Sequence, residues 1–186
     1  GPYTSKFPNV AHIQAKNFRG APKYSEEGCV GCTGCVNVCP PGAIEFVDNV
    51  SRDIPMRKMI IHHDECMFCG QCQALCTTRD DTPPGVKLTL DYDLAVFDRK
   101  DAINSVEKEL ALCETCKTTI TTKAHLDWIS KRLGPLAFSN PTLFMSRLKE
   151  LGLVDENITE VVKDLTRGDR MKILCARCRR KTTLEK

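Results

Sequence analysis

The chain has no long apolar run. None of its hydrophobic stretches approaches the ~20 residues that a membrane-spanning helix requires, so any membrane contact is expected to go through partners. The stretch Gly1-Pro2-Tyr3-Thr4-Ser5-Lys6 has no apolar segment of the signal-peptide kind, and nothing else marks secretion. Aromatic residues make up only 6%, so the core must be mostly aliphatic or organised around something other than side chains. No P-loop, dinucleotide fingerprint or nucleophile–base constellation is present. Phosphate-cradling, nicotinamide-dependent and covalent catalysis therefore have no foothold. There is no low-complexity tract.

Cysteine is abundant instead. The 186 residues include twelve cysteines, all in C-x-x-C-type runs. Six disulfides would suit a small secreted chain; tight C-x-x-C runs without a secretion signal read as metal sites. The first eight form an internal repeat. Cys29, Cys32, Cys35 and Cys39 recur 37 residues later as Cys66, Cys69, Cys72 and Cys76. Such regularity points to a duplicated half-domain with pseudo-twofold symmetry.

The first run, with Pro40 after Cys39, has the C-x2-C-x2-C-x3-C-P spacing of bacterial two-cluster ferredoxins. Two intervening residues let three thiolates converge on one cubane. The fourth cysteine sits on the following helix, points the other way and ligates the other cluster. One 4Fe–4S cluster is thus expected on Cys29, Cys32, Cys35 and Cys76, and a second on Cys66, Cys69, Cys72 and Cys39. The second run departs from the pattern in one place: Thr77 replaces the proline, and Thr78 to Pro84 is a polar insertion. The ligand set is intact, so the loop is expected to differ rather than the cluster. Gly31, Gly34 and Gly70 allow backbone N–H groups to approach the sulfurs, and Val30, Val36, Ile44, Met67 and Phe68 are candidates for an apolar shell.

The last four cysteines are two knuckles, Cys113-x2-Cys116 and Cys175-x2-Cys178, with 58 residues between the pairs. Brought together they make a closed four-thiolate site, typically for zinc; a single rubredoxin-like iron or a third cluster is the alternative. The expected role is structural, since a closed site leaves no position for substrate. The formal charge of +3 falls to about −3 once two clusters and one zinc are added to their thiolates, so basicity does not argue for nucleic acid. Lys172, Arg177, Arg179, Arg180 and Lys181 around the last knuckle read first as an offset to thiolate charge. A zinc-binding nucleic-acid module is the remote alternative. His62-His63 reads as a solvated strand end, and His12 and His125 have no partner recognisable in sequence.

The expected fold is α+β: a two-cluster ferredoxin-like domain at about residues 27–98, an N-terminal arm at 1–26, and a mainly helical extension at 99–186 closed by the four-cysteine knuckle. Strands are predicted at Ala43–Val47, Met59–His62 and Val86–Leu90, with extended chain from Tyr92 to Phe97. Short helices are predicted at Gly34–Val38 and Gly70–Leu75. Helices are also predicted at Asp101–Leu112 (inner face Ile103, Val106, Leu110), Ala124–Leu133, after Asn140-Pro141 (stripe Leu143, Phe144, Leu148, Leu151), and Asn157–Leu165.

With these residues placed, the chain resembles the two-cluster ferredoxin-like subunit of complex I and of group 4 membrane-bound NiFe hydrogenases, including formate hydrogenlyase. The resemblance rests on the arm motif Phe18-Arg19-Gly20-Ala21-Pro22, the duplicated cysteine run, and the segment Tyr92-Asp93-Leu94-Ala95-Val96-Phe97-Asp98-Arg99-Lys100-Asp101. Hydrogenase-type members can also carry a C-terminal pair of C-x-x-C knuckles. The resemblance covers about residues 18 to 118, and the tail only at its knuckles. It implies an electron relay at the inner face of the cell membrane, on the cytoplasmic side. Electrons would pass from ferredoxin or another donor to a cluster-bearing small subunit among other soluble-arm subunits. It implies no NiFe ligands in this chain, so enzyme activity would belong to the assembly. Relay subunits of complex I, a sulfane reductase or a formate dehydrogenase would look similar.

Overall fold

The computed structural model describes residues 6–154 and 172–184. The duplicated half-domain appears as two strand–cysteine run–strand units. The first comprises β1 (Pro22–Tyr24), α1 (Gly34–Asn37) and β2 (Ile44–Asn49); the second comprises β3 (Met56–His62), α2 (Gln71–Ala74) and β4 (Val86–Leu88). The two short helices keep the 37-residue offset of the cysteines. β1 pairs antiparallel with β4, and β2 with β3, so each half lends a strand to the other. β1 lies in the arm, where the sequence reading had no strand.

β3 shows the alternation expected of a half-buried strand: Arg57, Met59 and Ile61 point inward, their neighbours outward. Met59 and Ile61 are fully buried, each stabilising the fold by about 1.5–3 kcal/mol. They pack with Ile44, Val86, Val106 and the sulfurs of Cys29, Cys35 and Cys72 in one core. The polar exception is Arg57. Its guanidinium donates to both Asp48 carboxylate oxygens at 2.7 and 2.9 Å and to the Gly31 carbonyl at 2.9 Å. That pairing satisfies the buried charge and ties the first cysteine loop to the sheet.

The segment predicted as a helix over Asp101–Leu112 is a strand, β5 (Ile103–Leu112), paired antiparallel with β3 along its length. The reason is in the spacing. Val106 and Leu110 are four apart, which places them on one face of a helix and equally on one face of a strand. Ile103 lies an odd number of positions from both. As the strand requires, it faces outward and is exposed, whereas Val106 and Leu110 are buried. The open edge of β3 decided between the two by offering partners to the backbone. β6 (Thr119–Thr122) completes a sheet ordered β2-β3-β5-β6, which therefore runs across the position near residue 98.

Two helices follow, close to the predicted bounds. α3 (Lys123–Leu133) is capped by Thr122, whose hydroxyl accepts from the His125 N–H at 3.2 Å. α4 (Pro141–Glu150) starts with proline at its first position, after Asn140, whose side chain accepts from the Thr142 and Leu143 N–H groups. Leu143 packs with Leu126, Ala137 and Ala111. The predicted stripe is only partly inside: Leu143 is buried, whereas Phe144 and Leu151 are exposed, and Met145, outside the stripe, is buried instead. The chain from Tyr92 to Phe97 enters no strand. The last described element is α5 (Ala176–Leu184); the helix predicted at Asn157–Leu165 lies outside the described residues. No helix among the described residues is long and apolar enough to cross a membrane.

Candidate iron–sulfur and metal sites

Each cysteine run wraps a tight loop that needs left-handed backbone. Gly31 has φ +65°, and a Cβ there would meet Thr122 Cγ2 at 2.8 Å. Only glycine meets both demands, the backbone one and the steric one. The loops then enter α1 and α2, which turn the fourth cysteine of each run toward the other half. The outcome is two cavities. One is lined by Cys29, Cys32, Cys35 and Cys76, together with Val30, Met59 and Val86. The other is lined by Cys39, Cys66, Cys69 and Cys72, together with Ile44, Met67, Phe68 and Leu88. Each takes three sulfurs from one run and one from the other. Val36 packs against the shared core beside them.

The donor set fits two cubanes. Burial pushes the Cys29 thiol up to about 12 and the Cys72 thiol up to about 11, so these sulfurs become thiolates only when a cation in the cavity offsets their charge. Cys35 and Cys72, from opposite cavities, lie near enough for a Cys35 thiolate to disfavour one at Cys72. The two sites are therefore neighbours within one core. The backbone supplies matched donors: the Phe68 N–H donates to Cys66 Sγ at 3.4 Å, and the Gly31 N–H serves Cys29 in the same way.

The polar insertion after Cys76 is tightly held. Thr78 is buried; its hydroxyl donates to the Gly28 carbonyl at 2.9 Å and accepts from the Gly85 N–H at 3.0 Å. Asp81 accepts from Trp128 Nε1 and from Arg132 of α3, both at 2.7 Å. A Cβ on Gly85 would lie 2.6 Å from Thr78 Oγ1 and 3.1 Å from Cys76 Sγ. Gly85→Ala is therefore expected to destabilise the fold by about 1–3 kcal/mol through overpacking and to push Cys76 out of its cavity. Thermal melting and iron content measure the two effects; an unchanged iron content would show that the loop yields instead. In sequence, the missing proline after Cys76 and the polar insertion Thr78 to Pro84 mark this place; the individual contacts of Thr78, Asp81 and Gly85 come only from the fold.

The four remaining cysteines also converge. Cys113, Cys116, Cys175 and Cys178 have all their sulfurs within 4.8 Å of one another, and Cys116 and Cys175 are 3.7 Å apart. Tetrahedral ligation with zinc–sulfur bonds of about 2.3 Å requires sulfurs about 3.8 Å apart. A cubane would hold its four thiolates wider, since each binds a different iron. The geometry thus fits one ion and disfavours a third cluster at this place. The first knuckle is the β5–β6 turn, where the Cys113 N–H donates to the Thr118 carbonyl at 2.9 Å. The second opens α5, and the Glu114 N–H, donating to Ile173 at 3.0 Å, holds the two together. The side chain and backbone of Thr118 pull Cys116 down to about 6, while its contact with Cys116 pushes Cys178 up to about 12. Four sulfurs this close ionise together only around a cation.

The histidines stand apart from all three sulfur groups. His62 Nε2 pairs with Glu45 at 3.0 Å, His63 Nε2 lies 3.0 Å from the Pro22 carbonyl, and His125 Nδ1 lies 2.9 Å from Thr121 Oγ1. The His12 N–H donates to the Tyr92 hydroxyl at 2.9 Å. Of the basic tail, Arg179 donates to the Lys172 carbonyl at 2.8 Å, whereas Arg177, Arg180 and Lys181 face an open groove along α5.

Residues 28–79 match a family described as a 4Fe-4S dicluster domain. The chain is 30% identical over 128 residues to formate hydrogenlyase subunit 6 of Escherichia coli (strain K12), covering 69% of this chain and 67% of that one. It is 28% identical over 103 residues to NAD(P)H-quinone oxidoreductase subunit I of Gloeobacter violaceus, covering 54% of this chain and 47% of that one. It thus spans two thirds of the first relative and about half of the second. Among solved structures, a chain of the membrane-bound sulfane sulfur reductase, an archaeal respiratory membrane complex, is similar over 55% of this chain and 51% of that one, with 25% identity and a TM-score of 0.39. The chain belongs to the family of 4Fe–4S ferredoxin-like electron-transfer subunits found in group 4 hydrogenases and complex I-like assemblies.

Proposed function

We propose that this chain relays electrons through two 4Fe–4S clusters, held by Cys29, Cys32, Cys35 and Cys76 and by Cys39, Cys66, Cys69 and Cys72. The supporting observation is the pair of four-cysteine cavities, each drawing three sulfurs from one run and the fourth from the other. Cys113, Cys116, Cys175 and Cys178 hold one zinc that fixes the C-terminal element. The bound clusters supply one-electron chemistry. The chain's own residues hold them close together, shield them within one aliphatic core and supply N–H donors to their thiolates.

The proposed setting is the soluble arm of a hydrogenase-like membrane complex, at the cytoplasmic face and touching the membrane only through partners. The donor is ferredoxin or a similar carrier, and the acceptor is a cluster-bearing small subunit. The proposed division is an N-terminal arm at 1–26, the cluster domain at 27–98 and a C-terminal extension at 99–186. Nucleic acid has no part in this reading.

Metal analysis of anaerobically purified protein tests it. About eight iron and one zinc per chain are expected, together with cluster-bearing subunits that co-purify from the source cell. About nine iron without zinc would put iron at the C-terminal site. Mostly zinc with little iron would end the electron-transfer reading.

A further inference from the structure

The two cluster sites are related by the sequence repeat, but their surroundings are not equal. The first is the deeper: both Cys29 and Cys35 are buried, against only Cys72 among the second group. The C-terminal element adds to this cover. The Thr122 hydroxyl donates to the Val30 carbonyl, and Thr122 closes over Gly31. At the second site, by contrast, Met67 is 62% exposed. Deeper burial makes added negative charge more costly, and so lowers a cluster's potential.

The first site also has side-chain hydroxyl donors with no counterpart at the second among the described residues. The Tyr24 hydroxyl lies 3.4 Å from Cys35 Sγ, and the Thr77 hydroxyl lies 3.0 Å from Cys32 Sγ. An iron-bound sulfur has no proton, so in both contacts the hydroxyl donates. Thr78 is 3.5 Å from Cys76 Sγ, but its single proton goes to the Gly28 carbonyl. The repeat offset turns Tyr24 into Ile61 and Thr77 into Pro40, neither of which has a side-chain donor. The repeat is therefore broken at both hydroxyls and kept at the backbone donors. Arg19 approaches the second site through the Cys69 carbonyl at 3.4 Å, but it is exposed, and solvent screens its charge.

Resting on the two-cluster ligation proposed above, we propose that Tyr24 and Thr77 are potential-setting residues. Their hydroxyls stabilise the more negative, reduced state of the cluster at Cys29, Cys32, Cys35 and Cys76, and offset its deeper burial. The effect keeps the two clusters within one working range, as a relay requires. A charge-assisted hydrogen bond strengthens when its acceptor gains charge, so the donors favour reduction.

Redox titration of the whole protein, followed by electron paramagnetic resonance, tests this. The variants are Tyr24→Phe, Thr77→Val and their combination, each prepared with about eight iron per chain. One midpoint is expected to move to more negative potential, further in the double variant, so that the gap between the two widens. Thr77→Ser, which restores the hydroxyl, is expected to keep the wild-type midpoint. Unmoved midpoints at full iron content, a narrowed gap, or an equal shift in Thr77→Ser would overturn the proposal while leaving the two-cluster reading intact. Wild-type protein with a single midpoint and half the iron would overturn both. Should the double variant lose iron, the single variants decide by the same criteria.

Discussion

Replacing Cys39 with alanine is expected to strip iron from the cluster site of the other cysteine run and to spare its own. Cys39 lines the cavity of Cys66, Cys69 and Cys72, whereas the first three cysteines of its own run line the cavity completed by Cys76. Without the fourth thiolate, one corner of the cubane is open to water, and the cluster is expected to be lost or degraded. Iron should fall from about eight toward about four per chain. The informative experiment is a pair of double variants. If Cys39 and Cys66 serve one cluster, the double alanine variant loses little more iron than either single one, because the second change acts on a site already broken. If Cys39 and Cys29 serve different clusters, the corresponding double variant loses nearly all of it. The reverse pattern would mean that each run binds its own cluster, and the crossing would be wrong.

The second large effect concerns the C-terminal site. Cys113→Ser is expected to release about one zinc per chain and to leave the clusters in place. Structural zinc of this kind contributes on the order of 10–16 kcal/mol of apparent binding free energy to the fold that holds it. Losing it should free α5, which among the described residues is otherwise held by the Glu114 contacts with Ile173, the packing of Leu174 against Cys113 and Ile120, and the Thr142 hydroxyl donating to the Leu174 carbonyl at 2.9 Å. Limited proteolysis should then cut within the C-terminal region while the N-terminal cluster domain survives with its iron. Full zinc retention in the variant would refute the assignment. Simultaneous loss of iron would show that the extension's cover over the first cluster site, through Thr122 and the Asp81–Trp128 contact, is needed to hold that cluster.

These expectations differ in origin. The eight cysteines proposed to hold clusters, their proposed grouping and the four-cysteine site are all readings of spacing alone. Metal ligation fixes short sequence distances, and a repeat at constant offset leaves few ways to arrange them. Helices with clear stops were legible for a similar reason: Asn140-Pro141 and Gly134-Pro135 are local signals. The strand β5 was not, because Val106 and Leu110 satisfy helix and strand periodicity alike. Nor was β1, whose three residues, Pro22–Tyr24, are too short for any period to show.

By itself, then, the sequence determined which atoms can bind metal and in what groups, because ligand chemistry is local and a strict repeat imposes symmetry. Tertiary structure decided what surrounds them. The open edge of β3 made a strand of β5, and that strand carries the C-terminal element across one cluster site and not the other. Tyr24, Thr77 and Asp81 gained their roles from contacts over 11 to 51 positions of chain, and Gly85 gained its role from the packing of the loop that holds Thr78 and Cys76; no local pattern encodes either. Two sites equal in ligand sequence became unequal in burial and hydrogen bonding because, among the described residues, the C-terminal element packs against the first through Thr122.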